Sequence, residues 1–159
     1  MVQSLKVLVV EDYEQFRRLL CSLMQRPGFQ ITQAADGLEA VAKAEQLQPD
    51  LLVLDIGLPS INGLEVARRV RKIVPGARIL FVSQESSPEV VREALILGAR
   101  GYVHKPHAAS DLLRAVDTVL RGGQFVSHGL IPTLPSTVPS LAFARTAPQP
   151  TSKSLKVLT

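Results

Sequence analysis

The first 121 residues alternate between two patterns of apolar and polar positions. Five short apolar-containing runs predict strands, and three of them are the unbroken aliphatic runs that are typical of strands buried inside a sheet. These runs cover residues 5–10, 29–34, 51–54, 79–82 and 101–104. Between and after them, apolar residues recur every three or four positions, as Phe16, Leu20 and Leu23 do, which indicates amphipathic helices. Strands that alternate with helices predict a parallel sheet covered on both faces.

Residues at the ends of the helical stretches support five helices. Asp36 and Glu39 have capping-box spacing ahead of a helix through about Leu47. Ser87 and Pro88 are typical of an N-cap followed by proline at the first helical position. Five strands joined by right-handed helical crossovers predict a flavodoxin-like, doubly wound α/β fold.

The pattern changes near position 129. Residues 129–159 contain five of the eleven prolines and no sustained helical stripe. We therefore expect one domain over residues 1–128, followed by a basic tail or linker that is extended or disordered. Residues 154–158 repeat residues 4–8 as SLKVL, either by chance or as an artefact, or as a strand that pairs with a sheet edge.

Charge and composition narrow the class of protein. Residues 1–128 carry fifteen basic and all fourteen acidic residues, whereas the tail carries three basic residues and no acid, so the body gives little support for a nucleic-acid surface. Neither a signal peptide nor a membrane-spanning run is predicted. The single Cys21 excludes an intrachain disulfide and suits a reducing cytoplasm, where we expect the protein. The three histidines lack metal-ligand spacing.

Polar side chains gather where the predicted strands end. Glu11 and Asp12 follow the first strand, Asp55 follows the third, Ser83 ends the fourth and Lys105 follows the fifth. The carboxyl ends of parallel strands form one edge, at which α/β sheets bind ligands. Three carboxylates there need either a cation or raised pKa values, and ligands that are all oxygen favour Mg²⁺.

This edge of the sheet suits phosphoryl transfer. A Mg²⁺ held by Asp12 and Asp55 would neutralise an incoming phosphoryl group, and Lys105 and Ser83 could bind its oxygens. Asp55 is then a candidate nucleophile that forms an acyl phosphate. A flavin or dinucleotide site would need a Gly-, Ser- or Thr-rich phosphate loop where Glu11 stands. Phosphatases with an aspartate nucleophile carry it after the first strand, in an Asp-x-Asp motif.

Four segments carry a family resemblance. They are VVED at 9–12, LLVLDIGLPSINGLE at 51–65, FVSQE at 81–85 and GARGYVHKP at 98–106. In order and spacing they resemble the signature segments of response-regulator receiver domains of two-component signalling, over about residues 4–127. The resemblance implies the strand order 2-1-3-4-5. The later part of the chain most resembles receivers of the LuxR/NarL-type helix-turn-helix subfamily.

The resemblance also implies roles at the metal and phosphate site. Asp55 would be the phosphoacceptor, and Asp12 and Asp55 direct Mg²⁺ ligands. Glu11 would act on the metal through water, and Gly57 would supply its backbone carbonyl. Lys105 would contact the phosphoryl oxygens.

Further residues are implied to switch the domain or to tune its rates. Ser83 would be the switch hydroxyl and Tyr102 the aromatic residue that follows it. The bond between Lys105 and Pro106 is expected to be cis. Gln84 departs from the very small residue usual after the switch hydroxyl, so we expect Gln84 and Glu85 to alter the rates of phosphorylation or hydrolysis.

The same resemblance implies partners. The phosphate donor would be a sensor histidine kinase or a phosphotransfer protein. Phosphorylation would change the face made by helix 4, strand 5 and helix 5. The same face could form a homodimer. The chain would be a phosphoacceptor signalling domain, with self-phosphorylation and dephosphorylation chemistry, and not an ordinary enzyme. It is either a stand-alone receiver that acts through protein contacts or the receiver part of a longer transcription regulator. DNA would be bound only through a domain absent from this sequence.

Overall fold

A computed structural model describes residues 4–130, which form a parallel sheet between two layers of helices. The strands are β1 Leu5–Val10, β2 Phe29–Ala34, β3 Leu51–Leu54, β4 Arg78–Ser83, β5 Gly101–His104 and β6 Phe125–Val126. The helices are α1 Glu14–Leu23, α2 Gly37–Leu47, α3 Gly63–Ile73, α4 Pro88–Ile96 and α5 Ala108–Leu120. The order β2-β1-β3-β4-β5-β6 confirms the predicted doubly wound fold, with one strand added at its edge.

The sheet separates two apolar clusters. Along β1, Val7 and Val9 join the cluster under α1 and α5, whereas Leu8 and Val10 join the cluster under α2, α3 and α4. Side chains of successive strand residues point to opposite faces, so a strand covered on both faces must be apolar at every position. This double burial is why the aliphatic runs in the sequence located the strands so closely.

The predicted caps of α2 and α4 are present. The Asp36 side chain accepts a hydrogen bond from the Glu39 amide at 2.8 Å, and that of Ser87 accepts one from the Val90 amide at 3.3 Å. Glu39 also reaches back, to the amide of Ala35 at 2.8 Å. These bonds satisfy amides that the first helical turn leaves free, and so they fix where the loops above the sheet end.

The expected cis bond before Pro106 is wrong. Every peptide bond among residues 4–130 is trans. Lys105–His107 form a 3-10 turn that leads directly into α5, with the Ala108 amide donating to the Lys105 carbonyl. Proline suits the first turn of a helix, because its fixed φ is helical and its missing N–H is not needed there.

The sixth strand was not predicted, because two residues are too few to show a periodicity. β6 pairs in parallel with β5, and the Ser127 amide donates to the Tyr102 carbonyl at 2.9 Å. Leu130 is buried in the cluster under α2, α3 and α4. The predicted tail beyond Leu130 and its SLKVL repeat lie outside the described residues.

A buried carboxylate fastens α5 to the chain that follows it. Asp111, in the first turn of α5, accepts hydrogen bonds from the Ser127 hydroxyl at 2.7 Å and from Arg114 Nη2 at 2.8 Å. Burial alone would raise the pKa of Asp111, but the hydrogen bonds from Ser127 and Arg114 outweigh it and hold that pKa below its ordinary value. The charged form of Asp111 therefore stabilises the fold.

We predict a pH-dependent stability loss for Asp111→Asn. At pH 7 the variant should unfold about 1–3 kcal/mol more easily, because an amide accepts these bonds less strongly. The carboxyl pKa is depressed in the folded state. The difference should therefore hold above the ordinary value of 3.8 and shrink as the pH falls below it. Urea unfolding between pH 7 and pH 3 measures it. Asp117→Asn, at a half-exposed ion pair with Arg26, is the control and should cost about 0–1 kcal/mol. If the difference in the free energy of unfolding between the wild type and Asp111→Asn did not change with pH, the stabilising role of the charged Asp111 carboxylate would be contradicted.

Gly63 allows α3 to begin against the end of β3. Its amide donates to the Ile56 carbonyl at 2.7 Å, and a methyl group at Gly63 would overlap the carbonyl oxygen of Asp55.

We predict that Gly63→Ala destabilises the fold by about 1–3 kcal/mol through this overlap. Gly76→Ala is the matched control, because a methyl group there meets no atom within 4 Å. Equal urea midpoints for the two variants would contradict the packing argument.

Candidate functional site

Three carboxylates converge at the carboxyl ends of β1 and β3. One oxygen each from Glu11, Asp12 and Asp55 lies within 4.8 Å of the others. Glu11 is fully buried and Asp55 is 6% exposed, whereas Asp12 is exposed, so the cluster reaches solvent. The structure thus brings together the acids that the sequence had placed at one edge of the sheet.

Lys105 lies against two of these acids. Its Nζ is 2.8 Å from Glu11 Oε1 and 2.9 Å from Asp55 Oδ2. Burial alone would lower the pKa of Lys105, but Glu11 and Asp55 outweigh it and raise that pKa, so the lysine stays charged. The ammonium also lies 4.9 Å from the centre of the Phe16 ring, a cation–π contact that limits where it can move.

Glu11 is the most deeply buried of the three acids, and both its side chain and its backbone are bonded to the start of the first helix. Its Oε2 accepts a hydrogen bond from the Tyr13 amide at 3.0 Å, and Arg17 donates to its backbone carbonyl at 2.8 Å. Burial raises the pKa of Glu11, and the charge of Asp55 adds to the effect, against the opposing influence of Lys105. Among the described residues, buried Glu11 Oε1 has the lysine nearby as an ion pair but lacks a well-aligned hydrogen bond.

This donor set fits a hard divalent cation. It offers only carboxylate oxygens, one of them on an exposed side chain, and one buried oxygen that lacks a hydrogen bond. Mg²⁺ prefers such oxygen ligands and keeps several of its waters, which an open rim allows. Gly57, whose carbonyl the family resemblance implies as a ligand, lies exposed in the loop two residues after Asp55.

Asp55 has one oxygen fixed and one facing the lysine. Oδ1 accepts a hydrogen bond from the Ile56 amide at 2.7 Å, and Oδ2 faces the Lys105 ammonium. The carboxylate is thereby oriented, with a positive charge beside the oxygen that would react. This arrangement suits attack on an electrophile whose negative charge the lysine can share.

The predicted switch residues lie on β4 and β5. Buried Ser83 closes β4, and its hydroxyl accepts a hydrogen bond from the Glu85 amide at 3.1 Å. Tyr102 on β5 is also buried, and its hydroxyl donates to the Glu85 carbonyl at 2.7 Å. Burial raises the pKa of Tyr102 to about 12, so it remains a neutral donor. Both residues therefore hold the loop that leads into α4.

The side chains of Gln84 and Glu85 are exposed in that loop. The Gln84 carbonyl lies 3.2 Å from His104 Nε2, so its backbone is tethered to β5. The structure places both residues directly after Ser83, as the sequence requires. Their predicted influence on rates stays a prediction.

Sequence reasoning missed two residues that support the cluster. Phe16 was assigned only to the apolar stripe of α1, and Arg17 was not considered. Their positions shortly after Glu11 in the chain would have placed both residues on the first turn of α1, close to the acids. Which of those side chains turns toward Lys105 or the Glu11 carbonyl depends on tertiary packing.

None of the helices found between residues 4 and 130 is long and apolar enough to cross a membrane.

Comparison with known proteins identifies the family. The family model described as the response regulator receiver domain matches residues 7–117. A putative transcriptional regulator of Pseudomonas aeruginosa is 38% identical over 118 residues, which are 74% of this chain and 57% of that protein. The chemotaxis protein CheY of Thermotoga maritima is 32% identical over 115 residues, 72% of this chain and 96% of that protein.

A solved structure agrees with these sequence relatives. The two-component response regulator of the LuxR family from Aurantimonas superposes with a TM-score of 0.74 at 28% identity, covering 80% of this chain and 93% of that one. Several curated relatives are longer regulators, of which this chain spans little more than half. The matched region contains the whole acidic cluster and Lys105, and the chain therefore belongs to the response-regulator receiver family.

Proposed function

We propose that Asp55 accepts a phosphoryl group in Mg²⁺-dependent transfer and that the resulting acyl phosphate switches the domain. The observation that carries the proposal is the Lys105 ammonium, 2.9 Å from Asp55 Oδ2 inside a cluster of three carboxylates. In the step, an Asp55 oxygen forms a bond to phosphorus while the bond from phosphorus to the donor breaks. The electron pair of that bond leaves with the donor group.

The environments of the three acids favour Asp55 as the nucleophile. Glu11 is fully buried, so it is the least able to expose an oxygen to a donor, and the same burial raises its pKa. Asp12 is exposed and suits a metal ligand at the rim. Asp55 alone combines an oxygen fixed by a backbone amide with an oxygen beside a cation.

Receiver domains bind Mg²⁺ in an acidic pocket, and here Asp12 and Asp55 would hold it directly. Glu11 would act through a water and Gly57 through its carbonyl. The ion, when bound, offsets the negative charge of the acids and of the phosphoryl group. Lys105 and the Ser83 hydroxyl would then bind two phosphoryl oxygens, which positions the group for transfer.

The acyl phosphate would act on the face formed by α4, β5 and α5. Phosphorylation replaces the single negative charge of the Asp55 carboxylate with about −1.5 to −2 charges on the phosphoryl oxygens at pH 7, which is enough to bias a two-state loop. Ser83 and Tyr102 both contact the Glu85 backbone, so a move of Ser83 toward the phosphoryl group is passed to Tyr102 through one residue.

Receiver domains exchange phosphate with histidine kinases and phosphotransfer proteins, and we propose such a donor, in the cytoplasm, for this chain. The P. aeruginosa relative, of which this chain matches 57%, supports a second hypothesis, in which the chain is the receiver part of a longer transcription regulator. The T. maritima CheY, matched over 96% of its length, favours action through protein contacts alone. A homodimer through the α4–β5–α5 face is compatible with both.

We predict that Asp55→Asn abolishes labelling by a small phosphodonor such as acetyl phosphate in the presence of Mg²⁺, because an amide is not a nucleophile for phosphorus. Intact-mass spectrometry should show one added phosphoryl group in the wild type. The matched control is Asp50→Asn, at the opposite end of β3, which should label normally. Equal labelling of Asp55→Asn and the wild type would remove Asp55 from the mechanism.

We predict that Mg²⁺ stabilises the wild type and that Asp12→Asn abolishes this effect. A free Mg²⁺ concentration ten times the dissociation constant raises the free energy of unfolding by about 1.4 kcal/mol. Asp12 is exposed, so its replacement should leave the metal-free stability almost unchanged. Thermal unfolding with and without MgCl₂ measures the shift. A shift that is the same in both proteins would contradict the assigned ligand.

We predict that Gln84→Ala speeds autodephosphorylation, because a smaller side chain beside Ser83 opens the route of water to the acyl phosphate. Loss of label after removal of the donor gives the rate. Gln124→Ala, an exposed change outside the loop, is the control. A rate that is unchanged or slower in Gln84→Ala would contradict this role.

A further inference from the structure

The chain that follows α5 is hydrogen-bonded to the strand that carries Tyr102. The Ser127 amide donates to the Tyr102 carbonyl at 2.9 Å, and the Ser127 hydroxyl accepts from the His104 amide at 3.1 Å. His104 directly precedes Lys105. The residue whose amide bonds Ser127 is therefore the sequence neighbour of the lysine at the phosphate site.

One buried hydroxyl joins three elements. Ser127 is 2% exposed, and while its hydroxyl accepts from His104 it donates to Asp111 Oδ2 at 2.7 Å. The bond to a charged carboxylate is of the stronger, charge-assisted kind. If the Ser127 hydroxyl moves away, the His104 amide and the Asp111 carboxylate each lose a hydrogen-bond partner. Because an unpaired polar group inside the fold is costly, a half-broken contact is unfavourable.

A second anchor lies three residues further along. Leu130 is 5% exposed and belongs to the apolar cluster that contains Tyr102, and its amide donates to the Ser127 carbonyl at 3.2 Å. We call residues 125–130 the β6 segment. Its strand pairs over only two residues, which makes β6 the shortest strand of the sheet, and the Phe125 ring also lies 5.5 Å from the Arg114 guanidinium.

Phosphorylation would change the position of Lys105. In the unphosphorylated chain, Glu11 and Asp55 hold the ammonium at 2.8 and 2.9 Å. A phosphoryl group on Asp55 carries its charge on oxygens beyond the carboxylate. An ammonium that moved outward with this charge would pull on the backbone at the end of β5, where the His104 amide is bonded to Ser127.

We propose that the Ser127 hydroxyl is a latch that couples the phosphate site to the β6 segment: phosphorylation of Asp55 weakens the bond from His104 and releases the segment that leads to the rest of the chain. This inference rests on the proposed function of Asp55. It adds an output route at the β6 edge of the sheet, next to the α4–β5–α5 face. Coupling between sites is reciprocal, so release of the latch must in turn favour the phosphorylated form.

The test uses the full chain with Mg²⁺ and beryllofluoride, a mimic of the phosphoryl group. Hydrogen exchange of the backbone amides is followed in the β6 segment, in His104 and in the residues around Asp55. In the wild type, the mimic should speed exchange of the Ser127 and Leu130 amides at least tenfold. Ser127→Ala should show fast exchange in the β6 segment already without the mimic.

The reciprocal measurement is the beryllofluoride dissociation constant. Ser127→Ala should bind the mimic at least threefold more tightly than the wild type, whereas Ser22→Ala, which removes an exposed hydroxyl on α1, should not change the constant. Asp111→Asn weakens the latch from the helix side and should shift the constant in the same direction. A purely structural role for Ser127 would lower the melting temperature without tightening the binding.

The outcomes separate this inference from the proposed function. If the mimic changes the exchange of the amides near Asp55 and Ser83 but not that of the β6 segment, the proposed coupling through Ser127 is wrong and the proposed phosphate site is supported. Equal dissociation constants for the wild type, Ser127→Ala and Asp111→Asn would also overturn the latch. If the amides near Asp55 do not respond, the proposed function itself fails.

Discussion

The ion pair of Lys105 with Glu11 and Asp55 is the interaction on which the site depends. Two carboxylates that share a largely buried pocket repel each other, and the ammonium 2.8 Å from Glu11 and 2.9 Å from Asp55 offsets that repulsion. The lysine supplies this positive charge before any metal or phosphate arrives. Breaking a buried pair by removing one partner is costly, so the fold is tied to the same charges that would carry the chemistry.

The sequence predicted the parts of the molecule that local patterns determine. Strands buried on both faces are apolar at almost every position, so β3 and most of β1 and β4 could be predicted directly, and the chain order placed Asp12, Asp55 and Lys105 at one edge. Convergence of the acids then followed from parallel topology alone. The caps at Asp36 and Ser87 were predictable for the same reason, since a cap depends on residues three positions apart.

Features set by packing between distant segments could not be predicted. The β6 strand is two residues long and exists because the edge of β5 was free to pair. The bond before Pro106 is trans and the residues after it enter a helical turn, whereas the family resemblance implied a cis bond. Phe16 meets Lys105, and Ser127 meets Asp111, across separations that no spacing rule covers.

The most direct measurement is the location of the phosphate in the modified chain. Borohydride reduces an aspartyl phosphate to homoserine, so treatment after labelling marks the acceptor permanently, and peptide sequencing by mass spectrometry finds it. The account predicts homoserine at position 55 and unmodified residues at positions 11 and 12. Homoserine at position 12, or a label that remains on another residue after reduction, would contradict it.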